Sequence, residues 1–172
     1  MANTYVLINS STVGSGGASS FDFTSIPATY TDLLVLISAR GANAATTNSL
    51  WVQFNATGSS YTEKELTGSG TAASSGQNAS AVKSYIGDIP AATATASTFG
   101  NAEVYIPNYT SANYKSFSAN TVQENNTTAA YANLTANLWS NTAAITQVSI
   151  LLTSSTLVQY STAYLYGINN SI

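Results

Sequence analysis

Seven carboxylates are the side chains left in this sequence for acid–base chemistry. The chain contains no His and no Cys, so it lacks the commonest general base and the strongest neutral nucleophile. Zinc and copper sites, and catalysis by Ser-His-Asp or Cys-His groups, are therefore excluded. The carboxylates are Asp22, Asp32, Glu63, Glu65, Asp88, Glu103 and Glu124.

Hydrolysis of a glycosidic bond would need two of these carboxylates facing one sugar across a few ångströms. Glu63 and Glu65 would point the same way on a strand, but Lys64 lies between them and the surrounding sequence is typical of a solvated loop. No local spacing shows a catalytic pair. We therefore expect that the protein is not an enzyme, and a glycoside-active enzyme is kept only as an alternative to be tested.

Metal and phosphate sites also lack their sequence signals. No D-x-[DN]-x-[DN]-G loop is present, and the carboxylates do not cluster in the sequence, as a calcium loop would require. The glycines of the G-S-G-G stretch, Gly14, Gly16 and Gly17, precede neither a helix nor a lysine, so they indicate a turn. We expect no metal and no cofactor.

Tyrosine is abundant and allows two interpretations. Flat amphipathic rings could stack on sugars, or they could line the core and the contacts between subunits, where tyrosine is enriched. The second interpretation is favoured, and for the same reason Trp51 and Trp139 are expected in the core or in an interface. The tyrosines in question are Tyr105, Tyr109, Tyr114, Tyr131, Tyr160, Tyr164 and Tyr166.

The low charge of the chain limits its partners. Charged residues make up 6% of the 172 residues, the net charge is −3, and only four residues are Lys or Arg. Four scattered cations cannot form the basic patch that binds phosphates, so nucleic acid is excluded as a partner. Weak charge repulsion also protects a free monomer poorly against self-association, which favours a protein packed against its neighbours.

Export and membrane signals are not seen. The apolar part of the N-terminal stretch, Tyr5 to Ile8, is too short for a signal peptide. The longest apolar run, Leu33 to Ile37, is far shorter than the roughly 20 residues of a membrane-spanning helix. We expect a soluble chain, made in the cytoplasm, with no membrane partner and a single domain over residues 1–172.

Alternating apolar and polar residues with frequent turn signals predict strands and few helices. Leu50, Val52 and Phe54, for example, alternate with Trp51, Gln53 and Asn55. The predicted fold is all-β, an antiparallel β-sandwich or barrel of about 8 to 10 short strands. We place nine strands near residues 4–9, 18–23, 32–40, 49–55, 101–107, 114–122, 129–138, 145–153 and 158–168.

Two segments depart from simple alternation. Leu33 to Ile37 is apolar on both faces of a strand, so its outer face should be covered by a second layer or by another subunit. Residues 56–100 are rich in Gly, Ser, Ala and Thr. They are predicted to form one long loop excursion between the sheets, with a helical turn around Tyr61 to Leu66.

Five stretches of the sequence are distinctive when taken together: ANTYVLI, TVGSGGASS, FTSIPATYTDLLVLISAR, YIPNY and STAYLYGI. In this order they resemble small virion structural proteins of tailed bacteriophages, especially those that infect cyanobacteria and other aquatic bacteria. The similarity covers most of the chain and is weakest between residues 56 and 100. Similar chains are head decoration, cement or tail fibre components, and no motif distinguishes these positions.

The resemblance implies a jelly-roll-like sandwich that assembles with copies of itself into a trimer or another small ring on the virion. It also implies production in the cytoplasm of the bacterial host. The expected function is capsid decoration, bridging subunits of the major capsid protein, with host glycan recognition by a tail-fibre or receptor-binding module as the alternative. On this hypothesis the contact residues are Tyr105, Tyr109, Tyr114, Trp139 and the turns Asn108 to Asn113 and Asn125 to Thr128, with Asn108, Asn113, Asn125 and Asn126 as their asparagines.

Overall fold

The computed structural model describes residues 4–126 and 129–169, without the side chain of Ser80. Every regular element in these ranges is a β-strand, and none of the described residues belongs to a helix that could cross a membrane. The strands are β1 (Tyr5–Thr12), β2 (Ser20–Phe23), β3 (Asp32–Ala39), β4 (Thr47–Phe54), β5 (Tyr61–Gly68), β6 (Ala73–Ala81), β7 (Ser84–Pro90), β8 (Gly100–Ile106), β9 (Lys115–Gln123), β10 (Tyr131–Trp139), β11 (Val148–Leu152) and β12 (Thr162–Ile168).

The strands form two antiparallel sheets, which confirms the predicted all-β sandwich. The large sheet has eight strands in the order β1-β12-β3-β8-β9-β10-β5-β6, and the small sheet has four in the order β2-β11-β4-β7. From β2 to β8 the chain passes between the sheets repeatedly, so strands adjacent in one sheet are distant in sequence. This is a jelly-roll arrangement, with the β9–β10 hairpin inserted between β8 and β5 and with β12 and β1 added at one side.

The core lies between the two sheets and follows the alternation of the sequence. In β3 the inward residues Leu33, Val35 and Ile37 are buried, and in β4 Leu50, Val52 and Phe54 face them from the small sheet. Each of the nine predicted strands overlaps an observed strand, because burial of every second residue is what the pattern encodes.

The apolar outer face of β3 is explained by its position. β3 lies inside the large sheet between β12 and β8, and its outward residues Leu34 and Leu36 stay half-buried. Leu34 lies between two tyrosines, Tyr166 and Tyr105, and Leu36 lies between Tyr164 and Glu103. Among the described residues no second layer covers this face.

The prediction of a long loop over residues 56–100 was wrong, as was the helical turn at Tyr61 to Leu66. This segment contains β5, β6 and β7. β5 turns carboxylates inward where a strand ordinarily carries apolar residues, and β6 (ASSGQNASA) is an edge strand whose described residues are mostly exposed. β7 contains Gly87 and Pro90 and a register shift against β4. None of the three shows the apolar alternation from which a strand is recognised.

Candidate functional site

Four of the eight predicted contact residues lie together at one end of the large sheet. Tyr105 ends the outward face of β8, and Asn108, Asn113 and Tyr114 belong to the loop that joins β8 to β9. All four are exposed, with 59% of Tyr114 accessible to solvent. We call this group of four residues the loop-end surface.

A buried carboxylate holds the first half of the loop-end surface. Asp32, at the start of β3, accepts hydrogen bonds from the Tyr105 hydroxyl at 2.8 Å and from the Asn108 backbone N–H at 2.8 Å. The hydrogen bond to Asp32 is the main cause that raises the pKa of Tyr105, with burial second. Asn108 has a positive φ of 50°, a conformation that asparagine tolerates better than most residues. The loop therefore leaves β8 in a defined direction.

A buried lysine holds the second half. Lys115, the first residue of β9, is 1% exposed, and its ammonium donates to the backbone carbonyls of Asn113 at 2.6 Å and Ala143 at 2.8 Å. The same ammonium lies 5.7 Å from the centre of the Trp139 ring. Burial lowers the pKa of Lys115. A cation held by carbonyl oxygens and a ring face fixes the loop without exposing charge.

The loop-end surface borders a shallow depression of about 400 Å³. The depression is lined by Pro107, Asn108, Ser111, Asn113, Tyr114 and Ser116. Its wall combines an aromatic ring with amide and hydroxyl groups, and no ionisable carboxylate or ammonium belongs to it. Such a surface can form hydrogen bonds and ring contacts with a neutral partner, but it offers nothing for acid–base chemistry.

Three of the predicted contact residues, Tyr109, Trp139 and Asn125, are buried, so the expectation that they touch a partner was wrong. Tyr109 and Trp139 are both 0% exposed. The Tyr109 hydroxyl donates to the Pro27 carbonyl, and Trp139 packs in an aromatic cluster with Phe54 at 5.6 Å and Tyr61 at 6.3 Å between ring centres. The interpretation of Trp139 as a core residue is the one that the structure supports.

The second predicted turn lies elsewhere in the molecule. Asn125 and Asn126 follow the end of β9, whereas the loop-end surface precedes its start, so the nine residues of β9 separate them by roughly 30 Å. Asn125 is buried and donates to the Ala129 carbonyl at 3.0 Å, while Asn126 is exposed. Thr127 and Thr128 lie outside the described residues.

The outward face of the large sheet was not among the predicted contact residues, apart from Tyr105. One row across it, from β1 to β6, is Leu7, Tyr166, Leu34, Tyr105, Ser118, Ala136, Lys64 and Gln77. The next row is Ser10, Tyr164, Leu36, Glu103, Asn120, Leu134, Leu66 and Ser75. On the described strands, Lys64 and Glu103 are the charged side chains that reach this surface. The alternation along each strand shows which of its side chains share a face, but only the strand order shows which side chains are neighbours across the sheet.

Glu63, one of the two carboxylates most suited to catalysis by their spacing, holds the free edge of β7. This strand ends the small sheet, so its outer backbone groups have no neighbouring strand. Side chains of the large sheet bind them instead: the Glu63 carboxylate accepts from the Tyr85 N–H at 2.6 Å, and the Asn133 side-chain oxygen accepts from the Asp88 N–H at 3.2 Å. Backbone N–H and C=O groups at a buried strand edge need hydrogen-bond partners, and these two side chains supply them.

A further carboxylate near this edge, Asp88, also accepts hydrogen bonds. Asp88 accepts from the Tyr85 hydroxyl at 2.8 Å and from the Ser49 hydroxyl at 3.0 Å. Burial, and after it the charges of Asp88 and Glu63, raises the pKa of Glu65. Burial is also the largest cause that raises the pKa of Tyr85. The arrangement is a polar layer that joins two sheets.

A metal site is not found in the residues that the structure describes: no group of three or more Asp or Glu side chains there could hold an ion.

Arg40, the other buried cation, donates to backbone carbonyls of the loop after β7, including those of Thr95 at 2.8 Å and Ala94 at 3.0 Å. With Arg40 and Lys115 both buried, two of the four cations are removed from the surface.

Comparisons of the chain with family models, with curated proteins and with solved structures give no match.

Proposed function

We propose that this protein is a structural component of a tailed-bacteriophage particle, made in the bacterial host, which decorates the capsid and bridges neighbouring subunits of the major capsid protein. The loop-end surface is the observation that carries the proposal. It presents two exposed tyrosine rings and two exposed asparagines on a loop held by Asp32 and Lys115. The resemblance of the sequence to virion proteins supports the same function.

The mechanism is mechanical. Many copies each form a modest neutral contact with the shell, and repetition over the shell adds these contacts into a large resistance to internal pressure. No bond is made or broken. Glu63, one of the two carboxylates whose spacing first suggested acid–base work, binds the backbone of the β7 edge, and this supports a structural role.

Binding to purified expanded capsids tests the proposal. The protein should sediment with the shells and raise the temperature at which they release DNA. Tyr114→Ala should weaken binding about tenfold or more, as the loss of a tyrosine from an interface commonly does. Tyr160→Ala is the matched control, because Tyr160 is 69% exposed and lies just before β12, at the opposite end of the sheet.

Two results would contradict capsid decoration: no binding of the wild-type protein to shells, or equal losses from Tyr114→Ala and Tyr160→Ala. The alternative, a tail-fibre or receptor-binding module for host glycan, is favoured by the ring beside the neutral depression at Tyr114. A glycan array separates the two functions, since a decoration protein should bind none of the sugars. Binding to an array that Tyr114→Ala abolishes would support the alternative.

A further inference from the structure

The outward face of the large sheet is broad and nearly neutral. Eight strands at about 4.8 Å spacing, each with about seven residues of about 3.4 Å rise, cover about 900 Å². The six strands from β3 to β6 in sheet order, which overlap when two copies pair about an axis between β9 and β10, cover about 700 Å². Standard protein–protein interfaces bury about 600–1,000 Å² from each partner. Toward its β6 side the face exposes large apolar residues, with Leu134 56%, Leu66 55% and Val122 48% accessible. The area and the composition both suit an interface.

Two opposite charges lie on this face, three strands apart. Glu103 is on β8 and Lys64 is on β5, with β9 and β10 between them. The register aligns Glu103 with Leu66, the residue two positions after Lys64. From strand spacing and rise, the two side chains are about 16 Å apart. They therefore cannot form an ion pair within one chain.

A two-fold axis can bring the two charges together between copies. The midpoint of the line from Glu103 to Lys64 lies over β9 and β10, near Ser118, Asn120 and Leu134. Rotation by half a turn about the axis that lies in the interface plane, passes through this point and is perpendicular to the line places Lys64 of each copy against Glu103 of the other. Small and apolar side chains then meet at the axis. A contact of this kind uses the same patch twice and closes on itself.

We propose that two copies of this chain pair face to face through the outward side of the large sheet, with Lys64 of each opposite Glu103 of the other. The partner is a second copy because a neutral face with one positive and one negative charge is complementary to itself. Tyr105 of the loop-end surface lies within the paired face, whereas Asn108, Asn113 and Tyr114 belong to the loop beyond the strands and stay outside it. This pairing differs from the trimer or small ring implied by the resemblance, and it does not depend on attachment to a shell.

Sedimentation of the purified protein, without capsids, tests the pairing. Wild type should form a dimer at protein concentrations up to about 100 µM, a range in which a contact of standard size is populated. Leu134→Lys, at the axis, should weaken the dimer about 100-fold or more. Val82→Lys is the matched control, since Val82 is 58% exposed in the turn between β6 and β7, beyond the paired face. A wild-type monomer or trimer, or equal losses from both variants, overturns the proposal.

A charge exchange tests the register of the pairing. Lys64→Glu and Glu103→Lys should each weaken the dimer about tenfold, because each creates two like-charge contacts. The double variant should return to within about threefold of wild type. Unfolding midpoints check that all variants fold. Failure of the double variant to recover overturns the proposal. A monomer that binds shells contradicts only the pairing, whereas a dimer that ignores shells contradicts only capsid decoration.

Discussion

Substitution of Gly87 by alanine should destabilise the contact between the two sheets. Gly87 lies in β7 beside the register shift against β4 and has a φ of +124°, which L-residues rarely adopt. Thr121 of β9 packs directly on it and donates to the Ile86 carbonyl at 2.5 Å. This glycine lets the large sheet approach the backbone of β7.

The magnitude follows from the geometry. A Cβ at position 87 would lie 2.4 Å from the Thr121 Cβ, a separation at which one strand must shift. Backbone strain of this kind costs about 1–3 kcal/mol, and overpacking adds about 1–3 kcal/mol. We expect Gly87→Ala to lower the free energy of unfolding by about 4 kcal/mol. For a chain of this size the melting temperature should then fall by about 8–16 °C.

Urea unfolding followed by tryptophan fluorescence measures the change, with Gly16→Ala as the control. Gly16 has no atom within 4 Å of a built Cβ, so its substitution should change the free energy of unfolding by less than about 1 kcal/mol. Thr121→Ala combined with Gly87→Ala should be less destabilised than the sum of the single variants, by about 1–3 kcal/mol. Equal effects of Gly87→Ala and Gly16→Ala, or additive effects in the double variant, would refute the packing of β7 against β9 described above.

Two further predictions concern ionisable groups inside the fold. Because the pKa of the partly buried Glu65 is raised in the folded state above its ordinary value of 4.5, the folded protein binds this proton more tightly than the unfolded chain. The contribution of Glu65 to stability is therefore present at low pH and is lost as the pH rises through the folded pKa. Glu65→Gln should flatten this part of the pH dependence in urea unfolding, above the ordinary carboxyl pKa of 4.5, and an unchanged profile would contradict it. Arg40→Lys should lower the free energy of unfolding by about 2–3 kcal/mol, because an ammonium cannot reach the carbonyls of Thr95, Thr98 and Ala94 together; an unchanged unfolding midpoint would show that the guanidinium does not hold the loop.

Among the strands that the sequence predicted, β3, β4 and β8 have inner residues that face an apolar core, because every second residue is excluded from water by the opposite sheet. β10 was also predicted, although its buried residues Asn133, Thr135 and Asn137 are polar. β5 was missed because its inner residues Glu63 and Glu65 face a polar layer, where alternation is between two kinds of polar residue. Alternation of apolar and polar residues therefore reports a strand, but it does not always report which face is buried.

The candidate contact residues show the same limit. Tyr105, Tyr109 and Tyr114 are the same residue type within ten positions, yet Tyr109 is fully buried while the other two are exposed. Tyr105 alternates on a strand, so its direction follows from Ile106 being buried. Tyr109 and Tyr114 lie in or beside a loop, where no period relates one residue to the next. Their exposure depends on Pro27 and Lys115, which the fold brings against this loop.

Composition and local pattern were enough to determine a nearly uncharged, all-β chain that contains no His and no Cys. These properties depend on residue type and on neighbours one or two positions away. Tertiary structure alone decided which strands became edges, which carboxylates hold the β7 backbone, and how Lys64 and Glu103 came to share one face. Each of these depends on strand order, and in a jelly roll the neighbouring strands are contributed by distant parts of the chain.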